Sequence, residues 1–150
     1  MSEMQQYVIF SINEQVYGVE ILKIKEVVSY QKITPLPNMK EFIKGIINLR
    51  GVILPVFDLR DKFKLPKTTY TPFHSIIVME ISGRMMGVIV DDISDVVELL
   101  PEEVQAASSL PPGVHVDYIQ GIGKKDRGLI VLLDVDRLLS PEELEILDAT

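Results

Sequence analysis

Asp91, Asp92 and Asp95 put three carboxylates within five positions, the residue type that would hold a divalent cation or surround a phospho-acceptor. Such a pocket also needs a lysine and a parallel sheet around it, and the pattern of the chain supplies neither. The other reading of the cluster is a solvated turn and strand face. His74 and His115 are the two histidines, and neither has a second His or a Cys at a ligand spacing. Each reads as a surface or strand-start residue before it reads as a metal ligand or general base. Ser11, Ser29, Ser75, Ser82 and Ser94 lack a Gly-x-Ser-x-Gly frame. Gly121-Ile122-Gly123 is followed by Lys124-Lys125, without the Gly-Lys-Ser/Thr of a phosphate loop and without a helix opening there. That segment reads as a hairpin turn. No catalytic set emerges, and Arg50 is the charged residue left to explain.

Arg50 lies in the stretch Gly45 to Phe63, between the apolar runs Ile46-Ile47 and Val52 to Phe57. The joining residues, Asn48-Leu49-Arg50-Gly51, carry a turn former first and a Gly fourth, which predicts a type I turn closing a hairpin. Asp58 ends the second run and is the expected N-cap of a short helix. Arg50 is then either a structural arginine paired with Glu26 or Asp58, or an interface anchor, a role in which arginine is enriched. A pairing carboxylate would serve both roles, because it fixes the guanidinium plane where a partner meets it.

Composition narrows the partners. A net charge of −7 repels phosphate, which opposes a nucleic-acid or anionic-lipid binder. With 47% hydrophobic and 25% charged residues the chain is globular, and 150 residues suit one domain or two very small ones. The absence of Cys removes disulfides and thiolate chemistry and fits a reducing compartment. The first residues, Met1 to Gln6, have no basic region and no apolar signal core, and no apolar run approaches the ~20 residues of a membrane span.

The elements around the hairpin repeat. Tyr7 to Ile12 and Val16 to Val19 form a predicted opening hairpin; Ile21 to Lys23 could make a helical turn and Ile24 to Val28 a strand. Thr34 to Asn38 is a rigid extended connection, and Met39 to Ile43 suits a short helical turn. Residues 65–72, with Pro66, Pro72 and three Thr, read as a linker. The pattern then restarts with His74 to Ile81, the turn Ser82-Gly83-Arg84 and the return Met85 to Val90. Placing Gly18 on Gly87 brings Ile12 onto Ile81, Ile24 onto Ile93, Glu26 onto Asp95 and Val27 onto Val96. Placing Gly45 on Gly121 brings Ile43 onto Ile119 and Asp58 onto Asp134. The register breaks at one place: Arg50-Gly51 and Arg127-Gly128 are one residue out of step.

Each repeat holds about five strands. A lone sheet that small leaves two unpaired edges, and curling it into a barrel removes them. Gly18 and Gly87 suit a bend or bulge at a barrel corner, and Pro55 an edge or bulge. The expected fold is mostly β: two five-stranded barrels in tandem, over residues 7–64 and 73–140, with short helices. Pro101 to Gly113 is expected to be irregular, and Asp134 to Leu139 helical. Ser140-Pro141-Glu142-Glu143 is a capping box opening a C-terminal helix over 141–148. A groove where the barrels meet is the expected binding site.

Ile43 to Arg60, Tyr17 to Val27, Gly87 to Val96, Gly121 to Leu139 and Glu142 to Asp148 together resemble the CheW family of bacterial chemotaxis coupling proteins. The likeness covers nearly the whole chain and departs at Phe57, where many members carry a small aliphatic residue. It implies two SH3-like barrels and a non-catalytic, cofactor-free adaptor. That adaptor would be cytoplasmic, recruited to membrane receptor arrays, and would join chemoreceptor tips to the regulatory domain of the histidine kinase CheA. It also implies contact roles for Ile24, Glu26, Gly45, Arg50 and Gly51, and a kinase-facing role for Ile89, Val90 and Ile93 or their neighbours. The receptor helix would lie between the barrels. A related scaffold of the CheV type, which adds a receiver domain, and a small metal-dependent enzyme built on Asp91, Asp92 and Asp95 are the alternatives.

Overall fold

The computed structural model describes residues 3–37, 42–111, 117–126 and 128–148. Eleven strands form among them: β1 (Gln5–Ile12), β2 (Gln15–Glu20), β3 (Ile24–Ser29), β4 (Ile43–Leu49), β5 (Val52–Asp58), β6 (Ser75–Ile81), β7 (Arg84–Val90), β8 (Asp92–Leu99), β9 (Val104–Ala106), β10 (Ile119–Lys125) and β11 (Gly128–Leu133). Helices are few and short: α1 (Leu59–Phe63), α2 (Pro141–Asp148) and four 3-10 turns. One sheet has the order β8-β1-β2-β11-β10-β9, the other β3-β6-β7-β5-β4.

Both sheets must curl. The first begins with β8 and ends with β9, two strands separated in the chain by only Leu100 and one 3-10 turn, Pro101–Glu103. The second begins with β3 and ends with β4, and the chain leaving β3 crosses over to bond β4 through Thr34 and Ile46, N–H to carbonyl in both directions at 2.9 Å. The same closure is thus a single bridge in one barrel and a three-residue strand in the other. That is why one sheet counts five strands and the other six. It also places a strand, β9, inside the segment Pro101 to Gly113 that was expected to be irregular. Gly121-Ile122-Gly123, expected as a hairpin turn, is corrected to the middle of β10, the turn coming after Lys125.

Neither sheet is built from one half of the chain. The hairpin β1–β2 sits among β8 to β11, and the hairpin β6–β7 sits among β3 to β5. The exchanged hairpins are joined by two parallel seams, β2 to β11 and β5 to β7. Residues 65–72 therefore separate the two repeats in sequence, not the two sheets in space. Gly18 and Gly87 lie on these seams, not at bends: Ile9 pairs with Gly18 and Val78 with Gly87 in unbroken register. A Cβ at Gly18 would meet Leu132 Cδ2 at 3.0 Å, and one at Gly87 would meet Ile76 Cγ2 of β6 at 2.9 Å and Val56 Cγ2 across the seam at 3.2 Å. Close approach across the seam is what these positions require.

Alternation along the strands then makes three cores. Tyr7, Ile9, Leu99, Ile130 and Leu132 fill one barrel, and Ile47, Leu54, Val56, Ile76, Val78 and Ile89 fill the other. The opposite faces of the same strands meet in a larger cluster that includes Phe10, Tyr17, Phe57, Met79, Val88 and Leu133. Strands buried on both faces read as continuous apolar runs, as Ile76 to Met79 and Met86 to Val90 do. Pro55 sits opposite Ile46 on β4, and β5 meets β7 only from Val56 onward. Because Ile46 gives both its backbone groups to Thr34, the missing N–H of Pro55 breaks no bond with β4.

The caps form as the sequence predicts. Asp58 Oδ1 accepts from the Arg60 N–H at 2.8 Å at the start of α1. Ser140 and Glu143 exchange capping-box bonds at 2.8 and 3.1 Å at the start of α2. Asp134 to Leu139 tightens to a 3-10 turn, Val135–Arg137. Of the turn expected over Met39 to Ile43, residues 39–41 lie outside the described residues and Ile43 opens β4.

Candidate docking site

The hairpin β4–β5 ends at the pair Leu49–Val52, leaving a loop of two residues, Arg50 and Gly51. Their φ angles are +51° and +88°. Two positive values in succession are the mark of a type I′ turn, whose twist matches that of the strands it joins; a type I turn would splay them. This corrects the expected type I turn. Asn48 Oδ1 accepts from the Gly51 N–H at 2.8 Å across the loop.

The loop points Arg50 at β3. Between Ile24 and Glu26 the pairing of β3 with β6 slips by one residue, so Lys25 is the extra residue of a bulge, a device that re-aims side chains. Glu26 takes the Arg50 guanidinium with both carboxylate oxygens, Oε2 at 3.1 Å from Nη1 and Oε1 in closer contact with Nη2. Arg50 is the partner that holds the Glu26 carboxyl below its ordinary range, and Glu26 in return raises Arg50. The Arg50 side chain remains 70% exposed, so the pair presents a charged plane to solvent. Val27, which follows Glu26 on β3, and Val52 and Ile53, which follow the loop on β5, are also exposed. An exposed guanidinium held in one plane is a side chain of the kind enriched at protein interfaces.

Asp58, the other carboxylate considered for Arg50, is buried elsewhere. It accepts from Tyr70 Oη at 2.5 Å and lies 3.3 Å from Arg60 Nη1. Burial and the Asp58 bond together push the Tyr70 phenol far up. Arg60 is itself buried and reaches on to Asp91, whose carboxylate also accepts from the Asn13 N–H at 2.6 Å and lies 3.3 Å from His74 Nε2. Asp91 is thus a joint between α1, the β1–β2 turn and the start of β6. It is separated in role from Asp92 and Asp95, which stand exposed on β8. Among the described residues no group of three or more His, Cys, Asp or Glu is placed to hold a metal ion. His115 lies outside the described residues.

The remaining predicted positions divide. Gly51 is exposed at the loop. Ile24 and Ile93 are half-buried and pack on the central cluster. Gly45 is buried against the backbone of Thr34, where it permits the barrel to close. Ile89 and Val90 are wholly buried, one inside a barrel and one in the central cluster. Neither side chain meets solvent, so the expectation that they face a partner is corrected: β7 is an inner strand covered on both faces. Where the barrels meet, the interior is filled by the central cluster. A depression of about 710 Å³ remains at its helical end, lined by Lys62, Tyr118, Leu139 and Leu144 among others. Sequence reasoning missed Val27, Val52 and Ile53 as surface residues, because apolar strand positions read as core by default.

Residues 6–143 match the family model of the CheW-like domain. The chain belongs to the CheW family. It is 36% identical over 144 residues to the chemotaxis protein CheW of Klebsiella aerogenes, covering 96% of this chain and 87% of that protein. It is 32% identical to CheW of Bacillus subtilis, covering 92% and 88%. The crystal structure of the scaffolding protein TtCheW from Thermoanaerobacter tengcongensis superposes with a TM-score of 0.83 at 34% identity, over 94% of this chain and 97% of that one. The CheW relatives and the CheW scaffold structure support a chemotaxis adaptor or scaffold role, and the alternatives, a CheV-type scaffold or an enzyme built on Asp91, Asp92 and Asp95, are not favoured. No helix among the described residues is long and apolar enough to cross a membrane.

Proposed function

We propose that this chain is a non-catalytic, cytoplasmic adaptor recruited to receptor arrays at the membrane. It bridges the cytoplasmic tips of methyl-accepting chemoreceptors to the regulatory domain of the kinase CheA. The observation that carries this reading is the Glu26–Arg50 pair: an exposed arginine, locked by a bidentate carboxylate and held at a positive φ uncommon for its residue type. The strain and the orientation serve presentation to a partner. Ile24 and Ile93 flank the contact surfaces, while Gly45, Ile89 and Val90 support them from inside. The mechanism is positional. Holding receptor and kinase in one assembly lets a shift in one bias the conformational equilibrium of the other, without chemistry in the adaptor.

The test is a pull-down in which receptor-tip fragments on beads capture the CheA regulatory domain through this chain. Arg50→Asp should weaken bridging by more than about tenfold, the range of an interface hot spot. It should shift the melting temperature by less than about 4 °C, because exposed ion pairs contribute little to stability. Unchanged bridging would make Arg50 a structural residue only.

A further inference from the structure

We infer that Asn48 is a positioning residue for the docking arginine, a role that rests on reading Arg50 as the group a partner meets. The N–H of Gly51 lies outside the β4–β5 ladder, which ends at Leu49–Val52. Asn48 Oδ1 binds that N–H at 2.8 Å and so ties the loop to β4. The tie sits beside a backbone conformation that is uncommon for its residue type. Arg50 occupies the left-handed region at φ +51°, where Asn, Asp and Gly are at home and a long side chain is not.

The second repeat supplies the comparison. Its hairpin β10–β11 ends at Lys125–Gly128, again with a two-residue loop, and Asp126 stands where Arg50 stands, at φ +53°. This explains the one-residue break in register between the two Arg-Gly pairs: the fold aligns Arg50 with Asp126. Asp tolerates that conformation without help, and the residue in the place of Asn48 is Lys124, which has no acceptor atom to offer. The chain carries the acceptor at the hairpin whose first loop residue is an arginine. Without it the loop is free to relax to turns that return Arg50 to negative φ. The Cα–Cβ direction then changes, and the guanidinium no longer meets both oxygens of Glu26. The loss falls on preorganisation for binding and leaves the fold intact.

The test is a double-mutant cycle read in the same bead assay, with kinase regulatory domain retained on receptor-tip fragments measured against adaptor concentration. Asn48→Ala should weaken bridging about three- to tenfold, the worth of one such hydrogen bond in holding a docking group. Asn48→Asp, which keeps the acceptor oxygen, should restore it to within about twofold. In an Arg50→Ala background, Asn48→Ala should add nothing beyond about twofold, since its effect passes through Arg50. Full bridging by Asn48→Ala, while Arg50→Ala is impaired, overturns the inference and leaves the docking reading standing. An equal loss in both backgrounds also overturns it, because Asn48 then acts on the fold at large. Full bridging by Arg50→Ala overturns both.

Discussion

Gly45→Ala tests whether the five-stranded barrel closes as described. Gly45 has a φ of +154°, and a Cβ there would overlap the carbonyl oxygen of Thr34, with the Thr34 carbonyl carbon at 2.8 Å and Ile33 Cγ2 at 2.7 Å. The obstacle is backbone, and that backbone is itself tied to the next residue by the two Thr34–Ile46 bonds of 2.9 Å. Making room means breaking or stretching both. Two such bonds contribute about 1–3 kcal/mol net, and forcing a side chain into that backbone conformation adds about 1–3 kcal/mol. The sum, about 2–6 kcal/mol, is a large share of a typical 5–15 kcal/mol. For a chain of this size it lowers the melting temperature by about 5–20 °C. The assay is thermal unfolding followed by circular dichroism, with Gly51→Ala as the reference. Gly51 also has a positive φ, +88°, but nothing stands within 4 Å of an added Cβ. The difference between the two variants isolates the clash. A Gly45→Ala protein melting within about 2 °C of Gly51→Ala would refute the closure through Thr34.

Ile89→Ala removes a fully buried side chain from one barrel and should cost about 2–5 kcal/mol, seen as a lower urea midpoint, with bridging per folded molecule unchanged; a bridging defect at full stability would return Ile89 to the contact surface. Stability should fall in acid through Asp136, whose pKa is lowered first by its hydrogen bond from Lys23 and then by the Ser82 N–H. A folded pKa below the unfolded one means that the unfolded state binds the proton more tightly, so this contribution is full above the ordinary Asp value of about 4 and is lost as pH falls through the folded value. Melting curves between about pH 2 and 7 should therefore show a shallower acid limb for Asp136→Asn than for the parent, and identical slopes would contradict the assignment.

Much of the fold was legible because its physical causes are local. Alternation and turn residues marked β1, β2 and β4 to β7, β3 stayed open between helix and strand, and the Gly18–Gly87 and Gly45–Gly121 registers exposed the duplication and so implied β8, β10 and β11. The eleventh, β9, spans three residues between Glu103 and Ala107 and is too short for any period to register. The hairpin exchange was hidden for a different reason. Alternation reports which faces are covered, not which strand covers them, and β1 and β6 offer the same double-faced pattern to either sheet. The same blindness misplaced Ile89 and Val90, since an apolar residue next to a motif carries no mark of whether it points out or in. At the site, pairing Arg50 with Glu26 was open from spacing alone. It took the bulge at Lys25 and the left-handed turn to choose Glu26 over Asp58, and both are backbone properties that no side-chain type announces.

The exchanged hairpins set the order in which this protein can acquire structure. Ile9 on β1 pairs with Asp95 on β8, and Gly18 on β2 lies beside Leu132 on β11. A nascent chain that has emerged as far as α1 holds the β1–β2 hairpin without the sheet it belongs to, and an isolated hairpin is marginal in water. The other barrel waits in turn for β6 and β7 to fill the gap between β3 and β5. Neither half can fold as a finished unit during synthesis. The five-stranded barrel can complete once β7 has emerged, whereas the six-stranded one waits for β11, and both form at the slow rates typical of pairings distant in sequence. Until then the apolar runs of the first hairpin are exposed, which makes the newborn adaptor a natural client for chaperones.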